Sequence, residues 1–387
     1  MSDQTMTHEM TGSGRSEDAA TDSPQRRQAA GQWQLIWWRF RKHKLAVVGG
    51  IVVGMIYFVA LFAEFLAPWL PNEHATRYTY APPQSVNFFL SDGDGWTFRP
   101  HVNGFKVEID KVALRRNFVV DEEQVIPIGL FVKGKPYELW GLIPMERHLF
   151  GPLDPEEPMY ILGADRLGRD VLTRIIYGTR ISMSIGLVGV FLSLTLGILL
   201  GGISGYYGGF IDDIIQRTIE FLRAIPTIPL WMGLAAAIPL TWPPLGVYFT
   251  VTAILSLIGW TGLAREVRGR FFALKTEEFI PAARLDGNSE LRIIVRHMVP
   301  SFASHIIATM TLAIPSMILA ETALSFLGIG LRPPVVSWGV LLQEAQNVRS
   351  VATAPWLLWP GAAVVVAVLA LNFLGDGLRD AADPYTS

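Results

Sequence analysis

Six apolar stretches constrain this chain more than any other feature, because each is long enough to cross a lipid bilayer. The hydrocarbon core of a bilayer is about 30 Å thick, and a helix needs roughly 20 mainly apolar residues to span it. The stretches occupy residues 45–70, 181–206, 211–240, 247–264, 301–320 and 356–373. Backbone polar groups in lipid must pair within the segment, so helices are the expected form. The sequence therefore predicts an all-α polytopic membrane protein with six transmembrane helices.

The composition agrees with a membrane protein. Half of the residues are hydrophobic and 17% are charged, whereas soluble proteins carry about 25% charged residues. The net charge of −2 gives no sign of nucleic-acid binding, so we expect no such partner. The chain has no cysteine, which excludes disulfides and thiolate metal sites. The lipid bilayer is therefore the partner that the composition indicates.

The N-terminal region divides into a polar tail and a first membrane segment. Residues 1–31 are mostly polar or small, lack the apolar core of a signal peptide and cannot bury enough surface to fold, so we predict a disordered cytoplasmic tail. Residues 32–44 mix aromatics with cations, which suits either a helix at the headgroups or a plain basic flank. We group 32–70 as an interfacial helix and the first transmembrane helix. The positive-inside rule places the N-terminus in the cytoplasm, and six spans return the C-terminus there, with an inner tail from residue 376.

Residues 71–161 are predicted to form a small β-containing extracytoplasmic insert after the first helix. This region is polar and rich in proline, glycine and aromatic residues, without an apolar run of membrane length. Short β-like pieces lie at 97–99, 104–109, 117–120 and 125–132. The expected turn dipeptides are Asp92-Gly93, Asp94-Gly95 and Lys133-Gly134. The next residues, 162–180, are short, charged and amphipathic, and we expect them outside the membrane before the second span.

Small residues and prolines indicate the local shape of two spans. Pro226 and Pro229 each remove a helical donor, so they are expected to kink the third span. The second span carries four glycines that would let a neighbouring helix approach closely. These are Gly197, Gly201, Gly202 and Gly205.

Ionisable residues inside membrane spans are functional candidates by default. Glu220 and Arg223 in the third span can sit at the cytoplasmic mouth or line a pathway, and His305 can be a boundary or a pathway residue. An ion-coupled carrier or a membrane-embedded enzyme could use Glu220, His305 and Glu321 as a proton path. These charges lie near the ends of the spans, which argues against that alternative. We keep the four residues as possible pathway or gate positions.

The sequence lacks three motifs that are common in enzymes and nucleotide-binding proteins. It contains no Gly-x-x-x-x-Gly-Lys-[Ser/Thr], no His-Glu-x-x-His and no Gly-x-Ser-x-Gly. We therefore predict no ATP-binding P-loop, no catalytic residues, no metal site and no bound cofactor, and the chain is not expected to be an enzyme.

The polar stretch 277–300 differs from every other connection between spans. It is predicted to form a helix, a break at Gly287, and a second helix that stops at Pro300. Asn288 can cap the second helix, and Glu290 in its first turn suits the helix dipole. Four apolar residues are predicted to share one side of that helix: Leu291, Ile294, Val295 and Met298. Arg292 and Arg296 fall on another side. A solvated connector resting on lipid headgroups explains this periodicity equally well.

The same stretch resembles the EAA motif of ABC importer permeases. That motif reads Glu-Ala-Ala-x-x-x-Gly-x9-Ile-x-Leu-Pro, and this chain has Pro281-Ala282-Ala283-x-x-x-Gly287 followed after nine residues by His297-x-Val299-Pro300. Pro281 stands where the motif has glutamate, His297 where it has isoleucine, and Val299 where it has leucine.

Three further segments are similar to the dipeptide/oligopeptide/nickel permease family, and specifically to its second or "C" permease subunit. They are Leu162-Gly-Ala-Asp-Arg-Leu-Gly-Arg-Asp170, Leu324-Ser-Phe-Leu-Gly-Ile-Gly330 with Pro333-Pro334 and Ser337-Trp338-Gly339, and Gly375-Asp-Gly-Leu-Arg-Asp380 with Asp383-Pro384. The insert is longer than in the usual peptide permeases and resembles a long-insert subgroup that includes peptide and oligosaccharide transporters.

The resemblance implies the type I ABC importer permease fold, with a transmembrane domain over 162–387 and cytoplasmic coupling helices at about 274–300. It implies a homologous second permease, two ABC ATPase subunits that hold ATP and Mg, and an extracytoplasmic substrate-binding protein, all at a bacterial inner membrane. The substrate would be di- or oligopeptides, or with the same machine an oligosaccharide or a nickel chelate. The residues that would couple to an ATPase are Pro281, Ala282, Ala283, Arg284, Asp286, Gly287, Arg292 and Pro300.

Overall fold

The computed structural model describes residues 32–91, 96–110 and 115–382, and it begins with two consecutive helices. Helix α1 spans Gln32–Lys42, and α2 spans Lys44–Leu61. His43 separates them and caps α2, since its Nδ1 accepts from the backbone N–H of Ala46 at 3.1 Å. The first span was predicted to reach residue 70, but the chain breaks at Phe62 and continues only as the short helix α3, Ala63–Leu66. The predicted tail 1–31 lies outside the described residues.

Helix α4 is one continuous helix over Val171–Tyr207. The prediction of a separate segment over 162–180 before a span starting at 181 was therefore wrong about the helix boundary. Asp170 caps the helix by accepting from the backbone N–H of Thr173 at 2.7 Å, and nothing interrupts the helix after it. The guanidinium of Arg180 donates to Ala60 O at 2.8 Å and to Leu61 O at 3.1 Å, so Arg180 lies level with the end of α2.

The third apolar stretch is bent at Pro226, as predicted, and the bend is sharp enough to divide it into two helices, with Pro229 inside the second. Helix α5 spans Gly209–Ala224, α6 spans Thr227–Ala236, and the two meet at 86°. The break contains Ile225 and Pro226, both in extended backbone, where proline supplies no helical donor. In the described part of the chain, five helices are long and apolar enough to cross a membrane, and this bent pair would supply a sixth span.

The remaining helices are α7 (Pro244–Leu274), α8 (Phe279–Leu285), α9 (Glu290–Ile293), a π-helical turn (Ile294–Met298), α10 (Val299–Ser301), α11 (Ala303–Phe326), α12 (Trp338–Leu342), α13 (Val348–Thr353) and α14 (Trp359–Ala382). The three long helices α7, α11 and α14 follow the predicted order, and each continues past the residue at which its span was predicted to end. Short 3₁₀ turns occur at Thr76–Tyr78, Gln343–Gln346 and Pro355–Leu358. The inner tail predicted from residue 376 is helical as far as residue 382, because α14 continues into it; residues 383–387 lie outside the described range.

The predicted glycine seam of the second span is confirmed by its packing. A Cβ at Gly201 would overlap the carbonyl oxygen of Ala264, and a Cβ at Gly205 would meet Phe271 and Arg268. Helices α4 and α7 therefore approach closely along this seam. The first and last membrane helices pack in the same way: a Cβ at Gly49 would meet Ala370 O.

The insert is a four-stranded antiparallel sheet in the order β1-β2-β3-β4. The strands are β1 (Asn87–Ser91), β2 (Trp96–Asp110), β3 (Arg115–Leu139) and β4 (Ile143–Pro152). All four predicted β-like pieces lie within these strands, so the small sheet insert after the first membrane helix is confirmed. Lys133-Gly134 is not a turn but part of β3, and the β3–β4 turn falls at 140–142. The dipeptides Asp92-Gly93 and Asp94-Gly95 lie outside the described residues.

Candidate functional site

A helical hairpin between α7 and α11 forms the candidate site, and Gly287 makes its turn. Gly287 has a φ of +75°, the left-handed conformation predicted for this helix end. Its N–H donates to Arg284 O at 3.0 Å, and the next N–H, of Asn288, donates to Ala283 O at 3.2 Å. A Cβ at Gly287 would meet no atom within 4 Å, so the backbone conformation, and not lack of space, favours glycine here.

Asn288 fastens the turn in a different way from the one predicted. Its side-chain Nδ2 donates back to Ala283 O at 3.0 Å, so it secures the end of α8 and does not cap the second helix. The residue that precedes α9 is Ser289, whose side chain makes no capping hydrogen bond. Glu290 lies in the first turn as predicted, and it accepts a hydrogen bond from the hydroxyl of Tyr207 at 2.9 Å.

The buried face of the hairpin differs from the predicted one because of the π-helical turn. Ile280, Ala283, Ile293 and Met298 are buried and pack against a cluster that includes Phe271. In a π-helical turn each N–H pairs with the carbonyl five residues back, so the turn is wider than in an α-helix, and Ile293 and Met298 share its inner side. The α-helical spacing predicted a shared apolar side for Leu291, Ile294, Val295 and Met298; instead, Leu291 and Val295 are exposed.

Tyr206, in the last turn of α4, anchors the hairpin. Arg284 Nη2 donates to the Tyr206 hydroxyl at 3.0 Å, and Lys275 Nζ donates to its carbonyl oxygen at 2.6 Å. Both cations also lie over the tyrosine ring, at 5.4 Å and 5.7 Å from its centroid. The sequence analysis missed this residue, although paired tyrosines at the end of a span were a visible signal. The hairpin is therefore tied to the second span by charge, ring and hydrogen-bond contacts.

Seven of the eight predicted coupling residues lie on the open side of the hairpin. The exposed residues are Pro281, Ala282, Arg284, Asp286, Gly287, Arg292 and Pro300. Ala283 is buried, so its role is to pack α8 onto the bundle and not to contact a partner. Leu285 is 90% exposed and Leu291 is 70% exposed on either side of Gly287, and the sequence analysis missed both as surface residues. An apolar pair at the tip of a polar hairpin is typical of a docking surface.

Helices around the base of the hairpin are joined by a buried ionic contact. Arg268 of α7 donates to Asp212 of α5 through Nε at 2.6 Å and Nη2 at 2.5 Å. The hydroxyl of Ser204, on α4, also donates to Asp212. A bidentate arginine–carboxylate pair fixes geometry as well as distance. The contact therefore links α4, α5 and α7 near the base of the hairpin.

The four candidate gate residues do not form one cluster. Glu220 pairs with Arg217 at 2.8 Å on the exposed side of α5, and Arg223 is exposed at the end of the same helix. His305 Nε2 lies 3.4 Å from Glu266 Oε2. Glu321 is fully buried and accepts from Ser325 and Ser337, each at 2.8 Å.

Among the described residues, no hydrogen bond or ion pair joins these four positions into a path. His305 and Glu321 lie on one helix, and the rise of 1.5 Å per residue separates them by about 24 Å. The described residues also hold no group of three His, Asp or Glu side chains that could ligate a metal ion. The arrangement therefore gives no support to a proton path through Glu220, His305 and Glu321.

These features define a class: a polytopic membrane protein that presents an anchored helical hairpin with an apolar tip from the connection between two spans. The family described as "Binding-protein-dependent transport system inner membrane component" matches residues 197–387, and "N-terminal TM domain of oligopeptide transport permease C" matches residues 31–83. The chain is 38% identical over 232 residues to the dipeptide transport system permease protein DppC of Bacillus subtilis, covering 59% of this chain and 70% of that protein. This chain belongs to the binding-protein-dependent transport permeases, in the dipeptide and oligopeptide branch.

Two further relatives are permeases of the same family. The oligopeptide transport system permease protein OppC of Haemophilus influenzae is 37% identical over 229 residues, covering 59% of this chain and 71% of that protein. OppC of Bacillus subtilis is 29% identical over 353 residues, covering 91% of this chain and 89% of the relative. A solved structure of the MetNI methionine ABC transporter matches 54% of this chain and 97% of its own chain, with a TM-score of 0.42 and 16% identity. Membership of the family supports the expected type I importer permease fold.

Proposed function

We propose that this chain forms half of the translocation pathway of an ATP-driven, binding-protein-dependent importer of di- or oligopeptides. Membership of the permease family supports transport, and the names of the relatives support peptides as the substrate class. The partners proposed are a homologous second permease, two ABC ATPase subunits and an extracytoplasmic binding protein. ATP and Mg would be bound by the ATPases, so this chain performs no hydrolysis itself.

The single observation that carries the coupling role is the shape of the hairpin 279–301. Its inner side packs on the bundle and is held by Tyr206, while Leu285 and Leu291 remain in the open at its tip. A rigid element with an apolar tip can enter a groove on an ATPase and move with it. Because α7 and α11 continue from its two ends, that movement can switch which side of the pathway is open.

Peptides are favoured over oligosaccharides by the relative that spans the insert. The match to OppC of Bacillus subtilis covers 91% of this chain, so it extends through most of residues 71–161. That relative is named for oligopeptide transport, which connects a long insert with a peptide transporter. Identification by mass spectrometry of the ligand carried by the cognate binding protein tests this choice; a bound oligosaccharide or nickel chelate would replace the peptide proposal.

The proposed location is a bacterial inner membrane with both termini in the cytoplasm. The last turn of α1 carries Arg39, Arg41 and Lys42 next to the first span, as the positive-inside rule requires. The hairpin 279–301 is on the same side of the membrane as these cations if α2 and the following helices alternate in direction. Protease access to the hairpin in inverted membrane vesicles, and not in sealed cells, is the expected result.

Substitution of Gly287 tests the coupling role. We expect Gly287→Val to leave the importer assembled but to separate ATP hydrolysis from peptide uptake, because a β-branched residue disfavours φ near +75°. Gly287→Asn is the matched control, since asparagine tolerates the left-handed conformation and there is space for its side chain. The measurement compares ATPase activity and uptake in proteoliposomes that contain the complete importer. Normal uptake by the valine variant would contradict the proposal.

A further inference from the structure

The turn between β3 and β4 carries an unusually apolar exposed surface for a sheet outside the membrane. Leu142 is 79% exposed, and two apolar side chains next to it at the turn, Trp140 and Ile143, are 44% and 47% exposed. We call these three residues the β3–β4 tip. Contiguous exposed apolar surface of this kind marks a site of contact with a partner or a membrane.

The β3–β4 tip rests on the end of the first membrane helix. Trp140 Nε1 donates to the carbonyl oxygen of Leu61 at 2.6 Å, and Leu61 is the last residue of α2. The Trp140 ring lies 5.8 Å from the ring of Phe62, and the Phe131 ring lies 6.1 Å from that of Phe65. The sheet is therefore held with this turn beside the outer end of α2.

The length of α2 fixes the depth of that contact. Its 18 residues rise 1.5 Å each, so α2 is about 27 Å long and about matches the hydrocarbon core of a bilayer. Leu61 must then lie at the outer edge of the core. An exposed apolar stripe runs the length of α2 toward that edge and continues onto the tip. It consists of Leu45, Val48, Ile51, Met55, Phe58 and Leu61.

Polar groups lie next to the apolar tip along the same strands. Lys133 of β3 pairs with Glu146 of β4 at 3.0 Å, and Arg147 Nη1 donates to Phe131 O at 3.3 Å. A tryptophan with its ring in apolar surroundings and cations close by is the usual arrangement at the headgroups of a membrane. This order of apolar tip, tryptophan and charges matches the polarity profile of a lipid interface.

We propose that the β3–β4 tip enters the outer leaflet of the bilayer, so that the insert is anchored to lipid as well as to the membrane helices. The surface continues the lipid-facing stripe of α2, and for that reason its partner is the lipid and not another protein. The insert then sits at a fixed height and orientation above the pathway.

Single-cysteine labelling tests this proposal in the complete importer, because the natural chain has no cysteine. Leu142→Cys carries an environment-sensitive fluorophore, and the importer is placed in lipid nanodiscs with or without phospholipids that bear a nitroxide quencher near the headgroup. Ile109→Cys is the control: Ile109 is 68% exposed and pairs with Arg116 near the opposite end of β3. Both side chains are largely exposed, so neither change should disturb folding.

We expect the quencher to reduce the fluorescence of the label at 142 several-fold and to leave the label at 109 unchanged. Equal emission at 142 with and without the quencher would overturn the proposal. Protection of the 142 label by the binding protein, without quenching by lipid, would also overturn it and would assign the tip to protein docking.

Discussion

The Asp165 end of the bundle, which is the outer end in the proposed orientation, and the hairpin 279–301 are both rich in charged residues, but they use them differently. At the outer end, Asp165 is buried and accepts from Arg169 Nε at 2.7 Å and from the guanidinium of Arg174. Glu344 lies 3.6 Å from Arg169 Nη2 and 3.3 Å from Arg166 Nε. The charges of the hairpin lie mostly on its surface, and its one strong anchor is Tyr206.

The charges of the outer cluster are paired within the chain, whereas the apolar side chains at the tip of the hairpin remain exposed. A buried charge is strongly destabilising unless it is paired, so the outer cluster must be satisfied within the chain. The hairpin instead leaves Leu285 and Leu291 in water, where a partner can cover them. Side chains that satisfy one another hold a fixed shape, whereas the exposed leucines of the hairpin leave a surface that the proposed ATPase would cover.

The largest expected effect comes from breaking the outer cluster. Arg174→Met removes one partner of buried Asp165, and we expect a loss of about 3 kcal/mol in the free energy of unfolding, the lower end of the range for a broken buried ion pair. The lower end applies because Arg169 still pairs with Asp165. Chemical unfolding in detergent measures the loss. Arg217→Met is the control, since the Arg217–Glu220 pair is largely exposed and its loss should change stability little. Equal losses for the two variants would remove the distinction between the two regions.

An intermediate effect is expected at the hairpin, on binding and not on stability. Leu285→Ser and Leu291→Ser should each weaken association with the ATPase by about tenfold, because burying a leucine side chain contributes about 1.5–3 kcal/mol and every 1.4 kcal/mol changes affinity about tenfold. The melting temperature of the permease should not change, since both residues are exposed. Leu240→Ser is the matched control: Leu240 is 82% exposed between α6 and α7. Affinity is measured with purified permease pair and ATPase; unchanged affinity for both hairpin variants would place the docking surface elsewhere.

A further effect, a dependence of stability on pH, is expected at the outer end. Burial raises the pKa of Asp170 from its ordinary value of 3.8 to about 7. Folding therefore favours the neutral carboxyl, so the stability from this group is full below about pH 4 and is lost as the pH rises to about 7. Asp170→Asn keeps an acceptor for the N–H of Thr173 but cannot ionise.

We expect the melting temperature of the natural protein to fall more than that of Asp170→Asn between about pH 5 and about pH 8. Differential scanning fluorimetry in detergent measures both proteins at each pH. Parallel pH profiles would show that Asp170 is ionised throughout, and the outer end would then be less dry than its burial indicates.

Much of the architecture could be predicted from the sequence because its signals are local. Apolar length gave the spans and their order, turn residues and β-branched runs gave the sheet, and Gly287 marked the turn of the hairpin. The motif that surrounds Gly287 also indicated the family before any contact was known.

The remainder depended on tertiary contacts that no local pattern contains. The π-helical turn put Ile293 and Met298 on the same buried side, although α-helical spacing predicted that Met298 shares a side with Leu291. The anchoring by Tyr206 and the contact of Trp140 with Leu61 join positions far apart in the sequence. Helix α4 also continued through residues whose charges indicated a separate segment, since Arg174 and Arg180 found partners elsewhere in the fold.

The close packing of the first and last membrane helices has a consequence for how the protein is made. Gly49 of α2 lies against the backbone of α14, and Gly377 of α14 lies against Ala46, so each helix is shaped for the other. Synthesis proceeds from the N-terminus, and domains generally form in that order. Helix α2 must therefore remain in the lipid without its main neighbour until α14 has been synthesised, and the two helices can pack together only after every span between them has been made.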